Sequence, residues 1–146
     1  MPNHTILLVE DNPDDIALTL RAFKKVEPPC EVIVARDGVE ALAYLLGEGD
    51  AHIMPLSAPP ALVLLDLKLP RLDGLELLRR LRAHPRTTWL PIVMLTSSSE
   101  PSDLANCYRS GANSYIKKPV DYTEFMAAVQ GIGAYWLTLN TVPSSP

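Results

Sequence analysis

Five side chains in this sequence can do phosphate or metal chemistry, and each closely follows a short apolar run. Glu10 and Asp11 follow Ile6-Leu7-Leu8-Val9, and Asp66 follows Leu62-Val63-Leu64-Leu65. Thr96 follows Ile92-Val93-Met94-Leu95, and Lys118, within Lys117-Lys118-Pro119, follows Tyr115-Ile116. Three carboxylates in one pocket repel one another and raise each other's pKa. A divalent cation relieves that repulsion, and magnesium accepts a few carboxylate oxygens while keeping positions for water and phosphate. A carboxylate is also a nucleophile toward phosphorus, giving an aspartyl phosphate. Phosphoryl transfer asks for positioning and charge neutralisation more than acid–base chemistry. Magnesium and one lysine supply the charge, and the Thr96 hydroxyl can donate to a phosphoryl oxygen.

These residues serve one site only if the runs are neighbouring strands. Together with Val32-Ile33-Val34 there are five runs, apolar throughout rather than alternating, as strands buried on both faces of a parallel sheet require. Helical patterns lie between them. Ile16, Leu20 and Phe23 share a face, as do Val39, Leu42, Ala43 and Leu46. Leu75, Leu78 and Leu81 make a third stripe, Leu104 and Tyr108 mark a fourth, and Phe125, Val129, Ile132 and Trp136 make the longest. Asn12-Pro13 reads as a helix start, and Gly47 and Gly111 as helix ends. Five β-α repeats with right-handed crossovers give an α/β fold, a doubly wound (βα)5 sandwich. In strand order 2-1-3-4-5 the acids, the hydroxyl and the ammonium meet at the carboxyl end of the sheet, where ligands of such folds bind. Residues 1–140 are expected to be one domain and 141–146 a flexible tail. The connection from Gly47 to Pro60 is long for its type.

The motifs Val9-Glu10-Asp11-Asn12, Leu65-Asp66-Leu67-Lys68-Leu69-Pro70 with Asp73-Gly74, Leu95-Thr96-Ser97, and Tyr115-Ile116-Lys117-Lys118-Pro119 resemble the receiver domains of two-component response regulators. The resemblance runs from about residue 5 to about residue 139. It implies a flavodoxin-like fold with Asp66 as phosphoacceptor. It also implies Asp11 as a direct Mg2+ ligand, Glu10 as a ligand through water, and the Lys68 carbonyl completing the protein's share of the metal site. Lys118 would pair with the phosphoryl group, and Thr96 and Tyr115 match the family's switch pair. It points further to a cis Lys118–Pro119 bond that aims the lysine into the site. The long loop, Leu81-Arg82-Ala83-His84-Pro85 and the ending Val129–Leu137 resemble small regulators that partner bacterial phytochrome histidine kinases. The donor is then a sensor histidine kinase, with phytochrome kinases the narrower expectation.

Other classes fit less well. A phosphatase of the haloacid-dehalogenase type wants a second acid two residues after its nucleophile, where this chain has Lys68. A flavodoxin needs a hydroxyl- and glycine-rich loop after the first strand, where Glu10-Asp11 would repel a flavin phosphate. A degenerate receiver would lose Asp66 or Lys118. The net charge of −4 argues against a non-specific nucleic-acid binder. Cys30 and Cys107 have no metal spacing, and no apolar stretch is long enough for a membrane span. A cytoplasmic switch is expected, not a metabolic enzyme, acting through protein contacts because the chain ends soon after the fifth helix. Lys117, the arginines at 79, 80 and 82, and the three histidines read as solvated surface. Ser97-Ser98-Ser99-Glu100 reads as a helix start. A homodimer through the last helix and fifth strand is expected. Met126, Tyr135, Leu137 and Leu139 spread apolar surface around that helix. Gly131 and Gly133 would each cost about 1 kcal/mol relative to alanine unless something packs closely there.

Overall fold

The structure is a computed structural model and describes residues 4–143. Five strands and five helices alternate: β1 Thr5–Val9, α1 Pro13–Phe23, β2 Glu31–Ala35, α2 Gly38–Leu46, β3 Leu62–Leu65, α3 Gly74–Ala83, β4 Ile92–Thr96, α4 Pro101–Arg109, β5 Ser114–Lys117 and α5 Tyr122–Ala134. A wider π-type turn, Tyr135–Leu139, extends α5 and closes with the Asn140 N–H on the Tyr135 carbonyl. The sheet is parallel in order β2-β1-β3-β4-β5. This is the doubly wound parallel sheet expected from the continuous apolar runs, in the flavodoxin-like order that the receiver resemblance implies.

Side chains of a strand alternate between faces, so each central strand feeds two cores. Leu7, Val9, Val63, Leu65, Ile92 and Met94 pack toward α2, α3 and α4. Ile6, Leu8, Leu62, Leu64, Val93 and Leu95 pack toward α1 and α5. The edge strands β2 and β5 are largely half-buried, which is why their runs are the weaker signals in the sequence.

The helix starts follow from side-chain caps. Asn12 accepts from the Asp14 and Asp15 amides, and Asp37, Asp73 and Asp121 cap α2, α3 and α5 in the same way. Helix α4 begins at Pro101 without a side-chain bond from Glu100. Ser98 accepts from the Glu100 N–H and donates to Asp103, so the serine run does prepare that helix. Gly47 ends α2 in the left-handed region at φ 70°. The long 47–60 connection is tied down: Leu56 packs on the core and its N–H donates to the Tyr44 carbonyl. Of the 141–146 tail, residues 144–146 lie outside the described residues. Residues 141–143 line a cavity of about 310 Å3 with Arg82, Trp89 and Trp136.

Three expectations are corrected. Arg82 is half-buried rather than a freely solvated side chain. It donates to the carbonyls of Thr87, Thr88, Leu90 and Gly111 and to the Asn113 side chain, because its position faces the loops entering β4 and β5. Met126 is buried in the α1–α5 core rather than spread on the surface. Lys118–Pro119 is trans, the cis bond among the described residues being Glu27–Pro28. In trans, the Lys118 N–H already bonds the Thr96 carbonyl and its ammonium already reaches the acids, so no re-aiming is needed.

Candidate functional site

At the carboxyl end of the sheet β1, β3 and β5 deliver their next residues to one place. The Glu10 N–H bonds the Ala35 carbonyl and the Asp66 N–H bonds the Val9 carbonyl, so sheet pairing continues one residue past the strands and fixes both acids. Glu10 is 3% exposed. Its Oε2 accepts from the amides of Asp11 and Asn12 at 3.1 and 3.2 Å, and its Oε1 accepts from Lys118 Nζ at 2.6 Å. Asp66 is buried, with Oδ2 3.2 Å from Lys118 Nζ. Asp11 is exposed. Glu10, Asp11 and Asp66 each offer an oxygen within 4.8 Å of the others.

The loop after β3 can lie this close to Asp66 because of Gly74. A Cβ there would sit 2.1 Å from the Asp66 carbonyl oxygen, well inside any real contact. The Gly74 N–H closes the loop on the Leu67 carbonyl at 2.7 Å. Lys68 within that loop is exposed.

Thr96 is buried, and its hydroxyl accepts from the Ser98 N–H at 3.3 Å. Tyr115 is half-buried, and its hydroxyl donates to the Ser98 carbonyl at 2.9 Å. Thr96 and Tyr115 are therefore joined through one residue of the β4–α4 loop. Lys117 is exposed, as expected.

The electrostatics follow from three carboxylates, those of Glu10, Asp15 and Asp66, facing one ammonium. Burial pushes Glu10 up to about 7, and the Asp66 charge adds to this while Lys118 opposes it. Burial alone would lower the Lys118 pKa, but its hydrogen bonds to Asp15 and Glu10 and the charge of Asp66 outweigh that and raise it. Lys118 is a firmly charged ammonium. Burial also raises the Tyr115 phenol.

Asp15 belongs to this cluster and sequence reasoning missed it. Its Oδ2 accepts from Lys118 Nζ at 2.8 Å. It stands in the first turn of α1, the helix that leaves the site straight after Glu10-Asp11. The signal for it was present: an acid in the first turn of that helix starts above the strand ends. It reads equally well as an acid favoured at a helix N-terminus, which is why spacing alone did not separate the two.

The donor set suits a hard divalent cation. Three carboxylates converge, one of them exposed, so carboxylate and water ligands can be combined. A nucleophilic carboxylate beside a fixed ammonium and a cation site can accept a phosphoryl group.

Residues 6–130 match the response regulator receiver domain family. Response regulator Rcp1 of Synechocystis sp. is 35% identical over 144 residues, covering 99% of this chain and 96% of Rcp1. Among solved structures, the phosphorylated cyanobacterial phytochrome response regulator RcpA is similar with a TM-score of 0.89 and 38% identity, covering 97% of this chain and 99% of RcpA. The Mn(2+)-bound form of response regulator Rcp1 has a TM-score of 0.87 and 36% identity, covering 98% of this chain and 100% of that one.

Proposed function

We propose that this chain, which belongs to the response regulator receiver domain family, is a switch whose phosphoryl group is carried on Asp66. The observation that carries the reading is the Asp66 carboxylate, 3.2 Å from the Lys118 ammonium and with an oxygen within 4.8 Å of oxygens of Glu10 and Asp11. An Asp66 oxygen forms a bond to phosphorus while the phosphorus–nitrogen bond of a kinase phosphohistidine breaks. The electron pair stays on the imidazole, which is protonated from solvent. Later attack of water on phosphorus returns the free carboxylate and phosphate. Glu10, Asp11, Asp66 and the Lys68 carbonyl would hold Mg2+, which when bound neutralises charge on the phosphoryl oxygens. Lys118 takes a further share of that charge, and the Thr96 hydroxyl, now engaged only as an acceptor, donates to a phosphoryl oxygen. Moving Thr96 disturbs Ser98, and Ser98 carries the Tyr115 hydroxyl. The β4–α4 loop is thus the element through which phosphorylation reaches the surface.

The donor is a sensor histidine kinase, and the similarity to RcpA, a phytochrome response regulator, supports a kinase of the phytochrome class. Residues 1–140 act as one receiver unit, cytoplasmic and without metabolic turnover, signalling through protein contacts rather than DNA. No helix among the described residues is long and apolar enough to cross a membrane. Two copies associate through α5 and β5. Tyr135 and Leu139 are exposed there, beside a cavity of about 470 Å3 whose wall includes Ile116, Gly131 and Trp136. Gly131 has open space where a Cβ would be, whereas Gly133 is already explained by Phe23 and Val26 of its own domain. Sedimentation should give a dimer at high micromolar concentration and a monomer for Tyr135→Asp/Leu139→Asp. A monomeric wild type with and without beryllofluoride removes the dimer from this proposal.

The deciding experiment treats wild type and Asp66→Asn with acetyl phosphate and Mg2+. The wild type should gain one hydroxylamine-sensitive phosphoryl group, and the variant none. Equal labelling of both excludes Asp66 as the acceptor.

A further inference from the structure

An ammonium group has three N–H donors and no acceptor. In Lys118 all three have carboxylate partners: Glu10 at 2.6 Å, Asp15 at 2.8 Å and Asp66 at 3.2 Å. A phosphoryl group on Asp66 takes over that residue's own contact, the longest of the three, and its oxygens gain a second N–H of this ammonium only if Glu10 or Asp15 gives way. Glu10 is poorly placed to do so, since it is buried and its other oxygen is held by two backbone amides. Asp15 is different. Its side chain is 27% exposed, against 4% for Glu10. It lines a cavity of about 290 Å3 with Ser97, Lys118, Pro119 and Tyr122, so water can replace the lysine as its partner.

We propose that Asp15 is an internal competitor of the phosphoryl group, holding Lys118 at rest and releasing it when Asp66 is phosphorylated. The inference rests on the reading of Asp66 as phosphoacceptor. Asp15 is then a positioning residue: it acts on the reaction through Lys118, and its carboxylate weakens the site's affinity for any tetrahedral anion. The stabilisation that Lys118 gives the phosphoryl group is reduced by whatever the Asp15 contact was worth at rest.

The test measures beryllofluoride affinity in saturating Mg2+, together with the rate of phosphorylation by acetyl phosphate. Asp15→Asn should tighten beryllofluoride binding roughly five- to tenfold, the scale of one partly exposed charge-assisted hydrogen bond, and speed phosphorylation by a similar factor. Asp15→Ala should shift both in the same direction. Asp15→Glu should stay near wild type. Asp14→Asn removes the same charge from the same helix turn at an exposed position, and should change neither quantity. Unchanged or weakened beryllofluoride affinity in Asp15→Asn overturns the proposal, as does an equal gain in Asp14→Asn. A wild type that neither binds beryllofluoride nor takes up phosphate overturns the phosphoacceptor reading, and the proposal with it.

Discussion

Two cations are drawn into this domain at opposite ends of the sheet, and their partners differ in kind. At the carboxyl end Lys118 faces the carboxylates of Glu10, Asp15 and Asp66. At the other end Arg82 faces the Leu90, Gly111, Thr88 and Thr87 carbonyls at 2.7, 2.8, 3.1 and 3.3 Å, and the Asn113 side chain at 2.8 Å. Charged partners raise the pKa of Lys118 against the effect of burial, whereas burial alone lowers that of Arg82. Backbone carbonyls cannot leave, so the Arg82 fork fixes the loops before β4 and β5 in one arrangement. Carboxylates of separate elements can exchange an ammonium for a metal or a phosphate. Burial of a cation therefore marks structure or chemistry according to whether its partners are replaceable.

Lys118→Ala should produce the largest effect if this contrast is sound. Beryllofluoride affinity in Mg2+ should fall by about a hundredfold, near 2.7 kcal/mol, as befits the loss of a buried charge-assisted contact. Mg2+ affinity should hold or improve, because a competing cation has gone and an ammonium is never a metal ligand. Calorimetric titration with Mg2+ alone and then with beryllofluoride separates the two. A parallel collapse of both would mean that Lys118 builds the pocket, as Arg82 builds its loops.

Arg82→Ala should show the converse. Removing the fork leaves several carbonyls without their donor, a loss of roughly 2 kcal/mol in a urea melt, since water reaches some of them. Mg2+ and beryllofluoride affinities of the folded fraction should stay within twofold of wild type. Arg82→Lys should recover less than half of the lost stability, since one ammonium cannot span acceptors arranged for a planar fork. A large drop in anion affinity would couple the two ends of the sheet and end the contrast.

What the sequence discloses follows the same division. Glu10, Asp11, Asp66, Thr96 and Lys118 are legible because each ends or closely follows an apolar run, and a parallel sheet brings such positions together without help from side-chain detail. Arg82 is not legible. It stands among Arg79 and Arg80, both exposed, and only its angle on α3 places it over the loops that follow. Asp15 is hidden by an ordinary use of acids in a first helical turn. Met126 and Gly133 were assigned to a partner's surface because helical periodicity does not reveal that α1 crosses α5 closely enough to cover them. The trans Lys118–Pro119 bond was missed because the reach of a lysine depends on where the sheet ends, which composition does not encode.

The smallest effect is a change in thiol chemistry, and it reports where the domain opens. Cys107 is buried on α4, and burial pushes its thiol up to about 11, with Asp103 adding to the rise. The thiolate is the reactive form, so at pH 8 the native thiol is almost inert. A raised native pKa also means that an opened chain releases its proton first above about pH 8.5, so this thiol lowers stability as pH climbs from there toward 11. A disulfide reagent reaches this thiol through local opening, and because proton release itself favours the opened form, the rate rises tenfold per pH unit through the 8.5–9 range in which a permanently exposed thiol levels off. Arg82 holds the Gly111 carbonyl in the turn that follows α4, so opening near Cys107 should be easier once the fork is gone. With Cys30 replaced by serine, the wild type should label slowly, with no bend near pH 9. Arg82→Ala should label about ten times faster at pH 8 with the same slope. Lys118→Ala should match the wild type, because its lost partners lie at the other end of β5. Equal acceleration in both variants would show that opening at α4 does not distinguish the fork from the ammonium, and the two cations would then differ in chemistry alone.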